Sequence, residues 1–463
     1  MYQNRRRRFS YAGVVAVAAV AGCDGEGLRP NGISELQATV SEVIPTVVTV
    51  SWKTDTALTG HVVFGASGEL STPEETVAST EHSAILLGLP ASTDAEWTVV
   101  MSDGHSETGV VNTGTLPNTL PSVTATGTHD EYTVTSVLGG VTGPAILDPQ
   151  GRFVWFYPDS HGLDVYRARL ARDGKSVLYN AANVSGTPSD SSVIVRVSLD
   201  GTEESEIPVP LLAHDFVEME DGSIVAMAVE FRDAGSDTGD TGAASQIRGD
   251  KLVQIAPDGT QTDLWSSWDC FDPATDIGTD QDAGWTFANS LEYDATSDGG
   301  SGAFELSLRN FSSITHIPRV PPTSGSRCDW TFGTTAATVT PDVPFLHSHQ
   351  FQLLHANTTN DVGSMLIFDN AGMGNASRAI EYSFDPAQPV AHKIWEYDPS
   401  PSIFTFVLGD VARLDGGDTV VDFAVSGEID RVTPAGAVAW RVNTALGYGF
   451  GFMTQTPSLY SSP

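Results

Sequence analysis

The stretch RFVWFYP, residues 152–158, is a short apolar strand pattern centred on Trp155. The same pattern returns as TDLWSSW, HKIWEYD and AVAWRVN, and the tryptophans of these predicted strands are Trp155, Trp265, Trp330, Trp395 and Trp440. A sixth unit, between the first two, carries the strand 203–209 without a tryptophan. Six units over residues 130–445 average about 53 residues each, and repeats of roughly 40–50 residues built from short strands are typical of β-propellers.

Turn dipeptides separate the predicted strands of this region. Asp-Gly pairs, which favour tight hairpin turns, begin at Asp173, Asp200, Asp221, Asp258, Asp298 and Asp415. Few segments show the apolar spacing that an amphipathic helix requires. The sequence therefore predicts an all-β fold with a six-bladed β-propeller over residues 130–463. Seven blades and an irregular β-solenoid are the alternatives.

Residues 33–118 carry a second series of short alternating strands and predict a separate unit, followed by a linker at 119–129. Trp52 occupies the kind of position where a core tryptophan packs between two sheets. The run 86–89, followed by Trp97, resembles the corner between strands E and F of fibronectin type III modules. We therefore expect an N-terminal β-sandwich of the fibronectin III or Ig-like type.

The N-terminus predicts export. Four arginines at 5–8 precede an apolar, small-residue run at 11–21, and Val-Ala-Gly-Cys at 20–23 fits a bacterial lipoprotein cleavage box. We interpret residues 1–23 as a lipoprotein signal peptide, Cys23 as the lipidated residue and 24–32 as a tether. A plain anchor helix is the alternative, although the apolar run is short for a membrane span. The prediction is a periplasmic or cell-surface lipoprotein, attached to the membrane only by its lipid.

Charge and cysteine content fit this location. The formal net charge is −35 with only 23 Lys and Arg, and such a surface repels nucleic acid, which excludes DNA and RNA as partners. Besides Cys23, the chain has Cys270 and Cys328. Two cysteines in an exported protein predict one disulfide, with two separate buried thiols as the alternative.

The stretch FLHSHQFQLL, residues 345–354, contains His347 and His349, and Asn370 and Arg378 follow in a turn-rich segment. Histidine can act as a nucleophile or proton carrier near neutral pH, and arginine offers a planar set of donors to an oxyanion. Together they indicate a site for an anionic group. An ordinary hairpin with surface histidines is the alternative.

Polar residues also recur at the same position of successive repeats, where a predicted strand begins. His214, Asn289 and His349 each open a predicted strand, and Arg309 follows a strand of the same unit as Asn289. A propeller gathers its inner strands around a central channel. We therefore predict that these four residues converge at one end of that channel.

Six motifs extend the pattern: HDFVEMEDGSIVAMA (214–228), WTFANSLEYD (285–294), SLRNFSSITHI (307–317), HQFQLL (349–354), IFDN (367–370) and SRAIEY (377–382). In this order they resemble the arylsulfotransferase family, bacterial aryl-sulfate sulfotransferases that use no nucleotide sulfate donor. The resemblance implies a six-bladed propeller with an N-terminal β-sandwich. It also implies transfer of a sulfuryl group from a phenolic sulfate ester to a phenol through a sulfohistidine. We expect no metal or nucleotide cofactor, because the sequence has neither a metal-ligand cluster nor a phosphate-binding loop motif.

By the same resemblance, His349 matches the nucleophile, Arg309 and Asn289 match residues that hold the sulfuryl oxygens, and His214 matches a further active-site histidine. Candidates for substrate contact are His347, Phe287, Arg378 and Asn370.

Phe287 departs from the family pattern, which has a histidine two residues before the asparagine. Loss of one transition-state donor lowers a rate on the order of 100- to 1000-fold. The resemblance predicts an aryl-sulfate sulfotransferase. Because of the missing donor, a non-catalytic surface propeller that binds a ligand or protein is the alternative. A different transferase or hydrolase in the same channel is a third option.

Overall fold

The computed structural model describes residues 17–18, 32–65, 68–183, 188–233, 246–278, 284–323, 325–355, 363–372 and 375–460. Strands make up 52% and helices 3%, which confirms the predicted all-β class. The helical segments of the described residues are α1 (Ser297–Gly300) and the 3-10 turns Ser267–Asp269, Arg309–Phe311 and Ala424–Ser426. No helix in these ranges has the length and apolar character of a membrane span. Cys23 lies outside the described residues.

Two four-stranded sheets form the N-terminal part. The first contains β1 (Val17–Ala18), β2 (Ile33–Val40), β3 (Val48–Leu58) and β6 (Ser79–Leu86). The second contains β4 (Gly60–Phe64), β5 (Leu70–Ser71), β7 (Asp94–Met101) and β8 (Ser106–Asn112). Alternate residues of both sheets share one apolar core that includes Trp52 and Trp97. The strict alternation of β7 explains this burial, since every second side chain of a strand faces the same side.

Six further sheets follow, here numbered in chain order. Sheet 1 contains β10 (Tyr132–Leu138), β11 (Gly143–Leu147), β12 (Phe153–Phe156), β34 (Gly449–Phe450) and β35 (Thr454–Thr456). Sheet 2 contains β13 (Ala168–Leu170), β14 (Ser176–Ala181), β15 (Val193–Ser198) and β16 (Glu204–Pro208). Sheet 3 contains β17 (Leu212–Glu218), β18 (Ile224–Asp233), β19 (Gln246–Ile255) and β20 (Gln261–Ser266).

The remaining three sheets are also antiparallel, apart from one short strand of sheet 5 (Thr340–Pro341) that pairs in parallel. Sheet 4 contains β21 (Ala288–Asp294), β22 (Ala303–Leu308), β23 (Ser313–Pro318) and β24 (Trp330–Gly333). Sheet 5 contains β25 (Thr340–Pro341), β26 (Phe351–Leu354), β27 (Gly363–Asp369), β28 (Arg378–Phe384) and β29 (Val390–Tyr397). Sheet 6 contains β30 (Asp410–Arg413), β31 (Thr419–Asp422), β32 (Glu428–Val432), β33 (Val438–Thr444) and β9 (Val123–Gly127).

The repeated tryptophans occupy one structural position. Each lies in the strand at or next to one edge of its own sheet, as Trp155 does in β12 and Trp440 in β33. The strand predicted without a tryptophan is β16, at the edge of sheet 2. An apolar ring there fills the space between neighbouring sheets: Trp155 and Trp440 are each 0–1% exposed.

Strands from both ends of this region complete sheets that belong to other parts of the chain. β9 precedes all the sheet 1 strands in sequence but pairs with β33 in sheet 6. The C-terminal strands β34 and β35 pair with β10 in sheet 1. Both pairings cover what would otherwise be exposed strand edges. They also join the first and last sheets of the series.

The N-terminal sheets contact the larger region directly. The hydroxyl of Tyr460 donates to the carbonyl of Ile85 (2.8 Å) and accepts from the N–H of Leu87 (2.9 Å). The hydroxyl of Thr46 donates to the carbonyl of Val154 (2.6 Å). Ile44 and Leu87 pack in the same apolar cluster as the strands of sheets 1 and 2.

Candidate functional site

Four residues at or next to the first strands of sheets 2, 3 and 6 and to β26 of sheet 5 meet in a buried charged network: Arg167, Asp215, Asp410 and Gln350. Arg167 binds Asp215 through two hydrogen bonds (2.9 and 3.0 Å), and Gln350 donates to the same carboxylate (2.8 Å). Arg167 also donates to the carbonyl of Met453 (2.9 Å) and contacts Asp410 (3.4 Å). Arg167, at 2% exposure, is thus balanced by the carboxylates around it.

A layer of side-chain rings lies beside that network. It is formed by the residues that directly precede Arg167, Asp215, Gln350 and Met453 in the chain. The His214 ring centre lies 6.3 Å from that of His349 and 5.8 Å from that of Tyr166, and Phe452 lies 6.4 Å from His349. Register shifts in β17 and β21 allow consecutive residues to face inward, since a bulge redirects side chains. The predicted convergence of His214 and His349 is therefore present in the structure.

His349 is held in a defined tautomer. Its Nδ1 lies 2.6 Å from Oδ1 of Asn370, and the amide nitrogen of Asn370 donates to the carbonyls of Thr405 (2.9 Å) and Leu408 (2.8 Å). Because both N–H bonds of that amide are engaged, its oxygen must face His349 and accept a hydrogen bond from the N–H at Nδ1. The Nε2 atom of His349 therefore carries the lone pair, as a nucleophile requires.

Burial keeps both histidines neutral. His349 is 1% exposed, and burial, with the neighbouring His214, holds its pKa well below its usual value. Burial and then the charge of Arg248 lower the pKa of His214 to about 3. Nδ1 of His214 is buried without a hydrogen-bond partner among the described residues.

Asn289 supports the chain that carries His349. Its amide nitrogen donates to the carbonyl of Ser348 (2.7 Å), and the hydroxyl of Ser290 donates to the carbonyl of His349 (2.9 Å). Oδ1 of Asn289 is buried without a partner among the described residues. The amide thus positions the nucleophile's backbone and also presents an unused polar atom.

The side chain of Phe287 lies next to His214 and Arg309. Its ring centre is 5.3 Å from that of His214, edge-on, and 5.8 Å from the guanidinium carbon of Arg309. Its backbone has φ 51°, a left-handed conformation that is costly for a bulky residue. Such strain persists only where the surroundings hold it, here by the bond from the N–H of Arg309 to the carbonyl of Phe287 (3.0 Å).

Arg248, which the sequence analysis missed, faces the same ring. Its guanidinium carbon lies 5.3 Å from the ring centre of Phe287. Arg248 belongs to β19, the third strand of sheet 3, and so falls outside the repeat phase that identified the other residues. No spacing signal in the sequence could have found it.

Two predicted substrate contacts have other roles. The guanidinium of Arg378 binds Asp369 (2.9 Å) and Glu396 (3.5 Å) and donates to the carbonyl of Pro344 (3.1 Å). These partners occupy its donors, so the structure does not support a substrate-binding role. His347 contributes its backbone: its N–H donates to Ser312 Oγ (3.1 Å), and its carbonyl lies 3.3 Å from Nδ1 of His349.

The predicted cysteines are joined. Cys270 and Cys328 form a disulfide across 58 positions, linking the turn after β20 to the segment before β24. The disulfide therefore ties sheet 3 to sheet 4, the two sheets that carry His214 and Asn289.

A cavity of about 620 Å³ opens on the other side of the charged network. Its lining includes Arg169 and Gln352, each two positions beyond a residue of that network, and Glu292. Because side chains of a strand alternate, such residues form the next layer along the same strands. The cavity is thus separated from the histidines by the network.

One group of the described residues has the chemistry of metal ligands, away from the histidine pair. Ligand atoms of Asp298, His316 and Asp329 lie within 4.8 Å of one another. Nδ1 of His316 lies 2.8 Å from Glu305, so an ion pair already accounts for this histidine.

The arylsulfotransferase (ASST) sequence family matches residues 122–443. This match runs from β9 into β33 and includes His214, Asn289, Arg309 and His349, whereas Phe452 and the strands β34 and β35 lie beyond it. The chain belongs to the arylsulfotransferase family. Membership supports an aryl-sulfotransferase type of function, with an aryl sulfate donor and a phenol acceptor. No curated protein matches the sequence.

Solved structures show limited likeness to this arylsulfotransferase-family chain. A protein of unknown function from Bacteroides caccae has 11% identity and a TM-score of 0.42, over 71% of this chain and 99% of its own. A streptogramin B lyase has 14% identity and a TM-score of 0.38, over 72% and 98%. A virginiamycin B lyase from Staphylococcus aureus has 12% identity and a TM-score of 0.37, over 69% and 87%.

Proposed function

We propose that the protein transfers a sulfuryl group from a phenolic sulfate ester to a phenol through a sulfohistidine at His349. The Nε2 lone pair attacks sulfur, the bond from sulfur to the aryl oxygen breaks, and the phenolate leaves. The oxygen of the acceptor phenol then attacks sulfur, and the nitrogen–sulfur bond breaks. The second step restores neutral His349.

Two side chains are placed to stabilise the charge that develops on the sulfuryl oxygens. Arg309 offers a planar set of donors, which suits a tetrahedral oxyanion. One N–H of Asn289 donates to the Ser348 carbonyl, which leaves the other for a sulfuryl oxygen. Neither role needs a metal or a nucleotide.

His214 is suited to accept a proton. With its pKa lowered to about 3 by burial and by Arg248, it is neutral in the resting site and can take the proton of the acceptor phenol. The sulfuryl anion beside it would raise that pKa, because an opposite charge favours the imidazolium. The same residue can then return the proton to a leaving phenolate in the next cycle.

The hydrogen bond between His349 and Asn370 carries this proposal, since it leaves Nε2 unprotonated in a buried, family-matched position. The test is release of 4-nitrophenol from 4-nitrophenyl sulfate, with and without phenol as acceptor, in the presence of chelator. We expect release that depends on phenol and yields phenyl sulfate. Absence of phenyl sulfate under all donor and acceptor conditions would favour the non-catalytic binding propeller instead.

We also propose that the six sheets are the blades of a six-bladed propeller and that the two N-terminal sheets form a fibronectin III or Ig-like sandwich. The support is the succession of six sheets, antiparallel apart from the pairing of β25 with β29, and the pairing of β9 and β34 at the two ends of the series. A crystal structure would test the number of blades around the channel.

We propose export and lipidation at Cys23, with residues 1–23 removed and 24–32 serving as a tether. The Val-Ala-Gly-Cys box and the disulfide between Cys270 and Cys328 support an oxidising compartment outside the cytoplasm. Mass spectrometry of the native N-terminus tests this. A soluble protein with an intact, unlipidated N-terminus would exclude it.

A further inference from the structure

Phe287 leaves the site without one of the donors that the family pattern provides. A phenylalanine ring has no hydrogen to donate to a sulfuryl oxygen, and the missing donor corresponds to a large loss of transition-state stabilisation. Residues that approach this ring from other strands are therefore candidates to supply it.

Among the described residues, two guanidiniums approach the Phe287 ring, and one of them is that of Arg248. Its central carbon lies 5.3 Å from the ring centre, and that of Arg309 lies 5.8 Å away. The His214 ring meets the same phenylalanine edge-on at 5.3 Å. Arg248 thus borders the same space as the second histidine and the family arginine.

Among the described residues, no ion pair occupies the guanidinium of Arg248. The neighbouring Arg232, on the paired strand β18, binds Glu230 and Ser266 and stacks on Trp268 at 4.4 Å. Arg248 has no comparable set of partners among the described residues. A half-buried guanidinium in this state is suited to an anionic ligand.

The backbone around Arg248 holds its stem in place. The N–H of Trp285 donates to the carbonyl of Arg248 (2.8 Å), and the amide of Asn310 donates to the carbonyl of Gly284 (2.6 Å). A Cβ on Gly284 would lie 3.1 Å from Cγ and Cδ of Arg248, and φ there is 134°. A glycine is therefore needed for the Arg248 side chain to lie where it does.

We propose that Arg248 is a catalytic residue that donates to the sulfuryl oxygens of an aryl sulfate and replaces the histidine donor absent at position 287. This inference rests on the proposed sulfuryl transfer. The charge of Arg248 also acts on His214 more strongly than that of Arg309 does, which agrees with its place beside the reacting group. Two guanidiniums then flank one sulfuryl anion, one from β19 and one from the 3-10 turn after β22.

The test compares Arg248→Ala with wild type in two measurements. Binding of benzenesulfonate, which carries the anionic group but no transferable ester, is measured by calorimetry. Transfer from 4-nitrophenyl sulfate to phenol is measured as kcat and KM. We expect Arg248→Ala to weaken benzenesulfonate binding at least about 10-fold and to lower kcat about 100- to 1000-fold. Arg248→Lys should have a benzenesulfonate affinity and a kcat between those of wild type and Arg248→Ala.

Arg232→Ala is the matched control, because it removes the same charge from the paired strand without touching Phe287, and it should leave both measurements unchanged. Adding Phe287→His to Arg248→Ala should recover at least about 10-fold in kcat, since it restores the family donor. No recovery would overturn the replacement role.

The binding measurement separates this inference from the transfer proposal. Benzenesulfonate binding that depends on Arg248, in a protein without transfer activity, would refute transfer and leave the Arg248 contact standing. Unchanged benzenesulfonate affinity in Arg248→Ala, or no binding by wild type, would overturn the Arg248 contact.

Discussion

Nδ1 of His349 lies 2.6 Å from Oδ1 of Asn370, whose amide nitrogen is bound to two backbone carbonyls. This relationship decides which nitrogen of the histidine can react. An amide oxygen fixes the tautomer without adding charge, so the imidazole stays neutral and its pKa stays below the usual value. A carboxylate in the same place would also fix the tautomer but would favour the imidazolium.

The first prediction concerns Asn370→Asp. The new carboxylate should raise the pKa of His349, so that protonation inactivates the nucleophile at higher pH than in wild type. The acid limb of the pH–rate profile for sulfuryl transfer should therefore move to higher pH. Asn370→Ala should lower kcat about 10- to 100-fold at the pH optimum, as loss of an orienting partner does elsewhere. Superimposable pH profiles for wild type and Asn370→Asp would contradict the assigned hydrogen bond.

A second prediction concerns the covalent step. His349→Ala should abolish transfer, because His214, the other histidine of the site, has no partner at Nδ1 among the described residues that would fix its tautomer. Rapid quenching with 4-nitrophenyl sulfate, followed by mass spectrometry, should show a sulfuryl adduct on the wild-type peptide that contains His349. His347→Ala is the control, since that residue meets His349 through its backbone. An adduct on any other residue would refute the mechanism.

Periodicity predicted much of this site because repeated strands place equivalent residues at equivalent heights. His214, Asn289 and His349 share one phase, and the structure brings all three together. The sequence also pointed to Asn370, although its role is to orient His349 rather than to bind substrate. The sequence could not predict that the oxygen of Asn370, rather than its amide nitrogen, faces His349. That orientation depends on the carbonyls of Thr405 and Leu408, which are distant in the chain.

Arginine roles were the least predictable part. Arg378 follows Asp369 by nine positions, and the pairing of β27 with β28 sets them opposite each other, so it forms an ion pair. Arg248 reaches the site from the third strand of its sheet. The periodic pattern that identified the other residues concerns only the first strands, so it does not include Arg248. Side-chain partners of this kind follow from sheet register, which sequence spacing constrains only weakly.

The disulfide supports a third prediction. Replacing both Cys270 and Cys328 by serine should lower the free energy of unfolding by about 4 kcal/mol in the chain-entropy treatment, because the bond closes a long loop. Denaturant unfolding measures this. Reducing agent should destabilise the wild type and leave the double variant unaffected. Equal stability of oxidised wild type and double variant would show that the bond does not restrain the unfolded chain.

The last prediction concerns a buried acid next to the charged network. Asp422 is fully buried, its Oδ1 accepts from the N–H of Ala424 (2.7 Å), and its Oδ2 has no partner among the described residues. Burial, and then the charge of Asp410, raise its pKa well above the usual value, so the folded protein keeps this group protonated to higher pH than the unfolded chain does. The unfolded chain ionises it at ordinary acid pH.

A raised pKa contributes stability below the unfolded-state pKa, and this contribution is lost as pH rises toward the folded-state value. Asp422→Asn, which cannot ionise, should therefore gain stability over wild type as pH increases, by about 1–3 kcal/mol between pH 5 and pH 8. Thermal unfolding at both pH values measures the difference. Asp415→Asn, at an exposed turn, is the control and should show no such trend. An advantage of Asp422→Asn that shrinks with rising pH would mean that the carboxylate is charged and paired in the folded protein.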